Sequence, residues 1–147
     1  MILLALACGL AILVAGGVQL LRISDTAPSL LKVGDSIEIS SVTAQVQSGS
    51  VVDGEVRVGV RLRLAATAGA PITEPLVGWS LLTGGLTEPV PAGASADAAT
   101  NSCSDLQLEP GNSADCVLAF PVVPTEEGTT LVSYRVLGEQ VTWDLGL

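Results

Sequence analysis

Histidine is absent from these 147 residues. That removes at once the commonest general base and the commonest nitrogen ligand for zinc or copper. Cysteine occurs three times and methionine once, so a thiolate or thioether metal site is short of ligands too. Neither a metal nor a cofactor is expected, and any catalysis would rest on carboxylates, hydroxyls, Lys32 or arginines. Positive charge is the next shortage, with six Lys and Arg against fifteen Asp and Glu and a net charge of −9. So acidic a chain repels phosphate backbones, which argues against nucleic acid as a partner. Anionic lipid headgroups are equally unattractive as a surface ligand. Aromatics make up 3% of a chain that is 48% apolar, so a core must be built from Val, Leu, Ile and Ala.

The apolar residues are concentrated first at the N-terminus. Residues 2–21 read ILLALACGLAILVAGGVQLL, with no charged side chain before Arg22. Twenty residues at about 1.5 Å rise span roughly 30 Å, the hydrocarbon thickness of a bilayer. The expectation is an uncleaved transmembrane anchor over 1–22, a linker over 23–35 and one domain over 36–147. A cleaved signal peptide ending near Ala15-Gly16-Gly17 and a lipoprotein acylated at Cys8 are the alternatives. Ala7, Ala11 and Ala15 recur at four-residue spacing, a stripe that would let a second transmembrane helix approach closely. The competing reading is an alanine-rich helix with no such role.

Beyond the linker the pattern is that of strands. Residues 36–47, SIEISSVTAQVQ, change parity near Ser40-Ser41, as a β-bulge would produce. In EVRVGVRLRLAA, residues 55–66, Val56, Val58, Val60, Leu62 and Leu64 alternate with Arg57, Gly59, Arg61 and Arg63. Such strict alternation means one buried and one wet face. Residues 79–82 form a short strand, and 88–102 read as a long loop. Residues 116–123 are apolar at nearly every position, as a central strand buried on both faces would be. Two further alternating runs cover 132–136 and 141–145. About seven strands, with turn signals between them and no helical period after residue 34, indicate an all-β antiparallel sandwich.

The segments VGDSIEISSVTAQV, VRVGVRLRLAATAGAPI and LEPGNSADCVLAFPVV resemble a family of bacterial, chiefly actinobacterial, cell-envelope domains of unknown function. That family has an immunoglobulin-like sandwich and includes a small secreted mycobacterial antigen. Leu108, Pro110 and Gly111 match its Leu-x-Pro-Gly corner, and the resemblance covers roughly 33–145. It implies the immunoglobulin-like fold and no catalytic residue. The family usually carries a polar residue where Cys116 stands, so the cysteine pair is a departure.

Cys103 and Cys116 bracket Glu109-Pro110-Gly111-Asn112, a sequence suited to a type II turn. Folding back there brings the cysteines into one neighbourhood. Hairpin register would place Asp105 opposite Cys116, so a disulfide requires a bulge or a crossover near Asp105. A disulfide is the leading reading, ahead of free buried thiols. It would place the domain in an oxidising compartment, against the weak topological pull of Arg22 and Lys32 after the apolar run. Arg57, Arg61 and Arg63 are the one concentration of positive charge. They either dock an acidic partner or form a solvated face with cross-strand acids such as Glu38. The carboxylates Asp97, Asp105, Glu109, Asp115, Glu126 and Glu127 do not reproduce a calcium loop, and Trp79, Trp143, Tyr134 and Phe120 fall on apolar parity as core.

The expectation is thus a non-enzymatic, single-pass cell-membrane protein with its C-terminal domain extracytoplasmic. Its partners would be integral membrane or envelope protein subunits, which it would serve as an accessory subunit. The alternative is a secreted or anchored binding module for a small envelope glycan or lipid.

Overall fold

The computed structural model describes residues 30–84, 86, 88–94, 101–124 and 128–147. The expected transmembrane segment over 1–22, with Ala7, Ala11 and Ala15, lies outside the described residues. Among the described residues no helix is long and apolar enough to cross a membrane.

Nine strands run in chain order: β1 (Leu30–Lys32), β2 (Ser36–Ile39), β3 (Val42–Val52), β4 (Glu55–Leu64), β5 (Trp79–Leu82), β6 (Val90–Pro91), β7 (Ser113–Phe120), β8 (Leu131–Val136) and β9 (Glu139–Asp144). They form two sheets, one ordered β1-β9-β8-β5-β6 and the other β2-β3-β4-β7. Every pairing is antiparallel except β1 with β9. The fold is a β-sandwich.

The alternation in β4 does what period two requires. Val56, Val58, Val60 and Leu62 are wholly buried. They stand in register with Phe120, Leu118, Cys116 and Ala114 of β7. The other sheet supplies Trp79, Leu81, Val132, Tyr134, Val141 and Trp143 to the same core. There Trp79 stacks between Tyr134 and Trp143, with centroids 4.4 and 5.7 Å away. These offset rings concentrate much of the apolar area that four aromatic residues can bring. The Trp143 indole N–H donates to the Asp35 carbonyl at 3.1 Å, which ties the β1–β2 crossing to β9, the neighbour of β1.

Four details differ from the expectation. The parity change at Ser40-Ser41 is a two-residue hairpin turn, since Ile39 pairs with Val42 and Ser40 has φ 56°. The register slip of β3 lies instead between Val46 and Ser48. The segment 116–123 is not a central strand, because β7 ends its sheet. Along its free edge the backbones at Val117 and Ala119 form isolated bridges to Ser102 and Gly93, and Ala119, on the outward parity, is buried. The expected linker contributes β1, and the expected long loop contributes β6, so the strands number nine among the described residues.

The registers also fix which turns share an end. At one end stand the Ser40–Ser41 and Leu137–Gly138 turns, with Leu64 and Ile72 between them around a single depression. At the other stand the Asp53–Gly54 turn of the β3–β4 hairpin and the C-terminal Leu145, whose side chain lies over Gly49.

Candidate functional site

The half-cystine pair is built from a turn and a strand. Ser102 caps a 3-10 turn over Cys103–Asp105 by accepting from the Ser104 N–H. Cys116 sits on the inward parity of β7. The two are disulfide-bonded with Cα atoms 5.0 Å apart, and both are buried. Around Glu109–Asn112 the chain makes the type II turn its sequence suggests, with Asn112 N–H donating to Glu109 O at 3.0 Å and Gly111 at φ 85°. The segment before it is no hairpin partner of β7. Leu108 instead exchanges backbone bonds of 2.9 Å with Ile72, and the Gly111 N–H donates to Leu64 O at the end of β4. The disulfide therefore joins a crossing segment to β7, beside the Val117 N–H bond to Asn101 O at 2.8 Å. Buried and oxidised, the pair is a staple and offers no nucleophile.

Arg57, Arg61 and Arg63 all project from the outer face of β4, but they do not form one positive row. The Arg57 Nε donates to Glu55 at 2.6 Å, with both side chains largely buried. Arg61 forks onto Asp115 of β7 through Nε at 2.7 Å and Nη2 at 2.9 Å, in cross-strand register. The guanidinium bonds hold the Asp115 carboxyl below its ordinary value, and the same contact raises Arg61. Arg63, next along, is exposed and makes no ion pair among the described residues. The acid expected to face the row, Glu38, is one strand too far, since β3 puts Thr43 between it and Arg63. The partners found are Glu55 and Asp115. A depression of about 350 Å³ lies over this end of the sheet, lined by Thr43, Gln45, Arg61, Arg63, Ser113 and Asp115. Mixed in charge and rich in donors, it suits a polar contact rather than catalysis.

Two further hollows lie on the surface among the described residues. On the outer face of the five-stranded sheet, a groove of about 450 Å³ runs over Ser80, Ser133 and Thr142, with Leu82, Leu131 and Pro89 along it. Ser133 and Thr142 share a 2.8 Å hydroxyl bond across the β8–β9 pair, and Arg135 donates to Gln140 at 2.8 Å. At the Leu137 end a shallower apolar hollow of about 460 Å³ includes Ile72, Val77, Val136 and Leu137. Among the described residues no three acidic or cysteine side chains gather as a metal site would need. Asp97, Glu126 and Glu127 lie outside the described residues.

Sequence reasoning did not single out the groove or the exposed Leu137. The hydroxyl row was readable as the polar parity of β8 and β9. Nothing in the pattern marked Leu137, which sits where a polar turn residue would be the ordinary choice.

No family model and no curated protein matches this chain. Among solved structures, an uncharacterized β-sandwich protein from Clostridium difficile 630 is similar to it, with a TM-score of 0.53 at 10% identity, covering 81% of this chain and 96% of the other. At that identity the likeness bears on fold alone.

Proposed function

We propose that this chain is a non-enzymatic, single-pass protein of the cell membrane whose sandwich stands outside the cell and contacts another envelope protein, as an accessory subunit of a larger complex. The observation that carries the reading is the union of two features in one chain. Twenty uncharged residues stand ahead of a sandwich closed by a buried disulfide. The first is the length a bilayer asks of a helix, and the second is a bond that persists in oxidising compartments. The resemblance to immunoglobulin-like actinobacterial envelope domains supports the same placing. Ala7, Ala11 and Ala15 would face a partner helix, and the Arg61–Asp115–Arg63 surface would meet a polar partner outside. Extraction in a gentle detergent tests this. Co-migration with another membrane protein is expected, and migration as a lone monomer would sink the subunit reading.

One observation favours a second reading. The groove over Ser80, Ser133 and Thr142 presents hydroxyl, amide and guanidinium groups on a rigid sheet, a surface that a small envelope glycan could use in a secreted or anchored binding module. Titration with cell-wall oligosaccharides, read by chemical-shift changes confined to β5, β8 and β9, would support it.

A further inference from the structure

We infer that the Leu137 end of the sandwich rests on the lipid bilayer, with the β8–β9 turn dipping into the apolar part of the membrane interface. This rests on the proposed anchoring of residues 2–21 and adds to it an orientation and a contact surface.

The first observation is the turn itself. Leu137 and Gly138 have φ of 49° and 87°, the positive pair of a type I′ hairpin turn, where Asn-Gly is the favoured sequence. A leucine there adopts a backbone that side chains with a Cβ resist. It is also 88% exposed, the most exposed large apolar side chain among the described residues. Neither backbone nor packing within the sandwich rewards this residue. An apolar environment outside it would.

The second observation is that Leu137 is not alone. Val77, 66% exposed, stands with it around the shallow hollow that Ala70, Ile72 and Val136 also line. Contiguous apolar surface of this kind marks a contact site, where scattered single residues do not.

The third observation, independent of both, says what lies against it. β1 runs parallel to β9, with Leu30 beside Thr142 and Lys32 beside Asp144. β9 starts at the Leu137–Gly138 turn and runs away from it. At Leu30 the chain therefore lies beside the second half of β9 and heads away from the Leu137 end. Only residues 22–29 separate Leu30 from the apolar run 2–21. Eight residues reach at most about 28 Å when fully extended, which keeps the membrane within reach of the Leu137 end. Glu74 and Arg135 beside the hollow oppose each other in sign, so the contact is apolar and does not depend on anionic lipid. Val123, 59% exposed, follows the C-terminal end of β7, which is the far end of the sandwich, and is not brought to the same surface.

The test uses the full chain in phosphatidylcholine vesicles, with Cys8→Ala so that one introduced thiol takes an environment-sensitive fluorophore. Leu137→Cys places the probe at the turn. Asp53→Cys places it in the β3–β4 turn at the opposite end. Expected is quenching of the first probe by brominated lipid and its protection from aqueous iodide, with both lost at residue 53. If the protein floats with the vesicles but both probes are equally open to iodide, the inference falls while the anchoring stands. Shielding from iodide without quenching by lipid would overturn it in favour of a second protein copy. If the chain does not float at all, the anchoring reading fails first. A paired measurement on Leu137→Asn with the probe at Val77→Cys should retain flotation and lose lipid quenching. Unchanged quenching would show that Leu137 makes no contact.

Discussion

Gly78 shows how one backbone atom can set a side-chain identity. It has φ 91°, and a Cβ built there would overlap the carbonyl oxygen of Arg135, whose N–H donates to Gly78 O at 2.9 Å. Gly78→Ala should therefore destabilise the sandwich by about 2 kcal/mol or more, from left-handed strain and a backbone clash together. Gly138→Ala, at φ 87° but in open space, should cost only about 1 kcal/mol of backbone preference. Urea midpoints of the two variants check the contrast, and equal losses would mean that the Arg135 backbone yields. Asp115 makes a second prediction, in pH. Its folded-state pKa is lowered, first by the hydrogen bonds from Arg61. Its stabilising contribution is thus fully present above the unfolded value of about 3.9 and is lost as pH falls through the folded one. Both side chains are half exposed, so the effect is small and screened by salt. Asp115→Asn should lower the urea midpoint slightly at pH 7, and the difference should shrink as pH falls below the unfolded value. A difference that does not change with pH would assign the effect to packing instead.

At the scale of the element, the hairpins separate what local chemistry dictates from what the fold imposes. Asp53–Gly54 turns β3 into β4 with both φ positive, as its sequence favours. Leu137–Gly138 reaches the same geometry with the wrong first residue. Leu137→Asn should therefore raise the thermal midpoint of the domain, by a gain of about 0.5–1 kcal/mol, because the exposed leucine side chain leaves no gap in the core when it is replaced. A fall in the midpoint would show that Leu137 packs within the sandwich. The same contrast explains what was legible beforehand. β4 could be read because one face is dry and the other wet along its full length. The edge position of β7 is not legible, because its neighbours there are only isolated bridges from Gly93 and Ser102, whose approach no local period records. β1 is three residues long, too short for alternation to show, and Ser40–Ser41 turns without a glycine to announce it. The cysteines could be recognised as a pair because so few candidates existed, but the crossing that brings them together could not. Of the arginine surface, the residues are legible, but the pairing of Arg61 with Asp115 is not, since it depends on strand order, whereas Arg57 pairs with Glu55 two residues before it on β4.

For the whole molecule, one core receives side chains from both sheets, and the disulfide ties down a segment that neither sheet holds by a continuous ladder. Residues 101–108 reach β7 through the Ser102–Val117 bridge and the Cys103–Cys116 bond, while Leu108 bridges to Ile72 instead. Removing the disulfide should therefore act in two ways. Releasing a loop of this length costs about 3 kcal/mol in the chain-entropy description, which lowers the urea midpoint of a fragment spanning 30–147. The fragment should still unfold cooperatively, because Val56, Val58, Val60, Trp79 and Trp143 remain packed without it. Locally the loss should be larger, since an uncovered β7 would present an open strand edge. Amide exchange separates the two effects. After reduction, the Val117 N–H, which donates to Asn101 O, should exchange well before the amides that join β4 to β3. Simultaneous loss of both would mean that the staple holds the entire sandwich rather than its edge. Retained protection at Val117 would mean that the crossing segment stays in place on its backbone bonds alone, leaving the disulfide no role beyond constraining the unfolded chain.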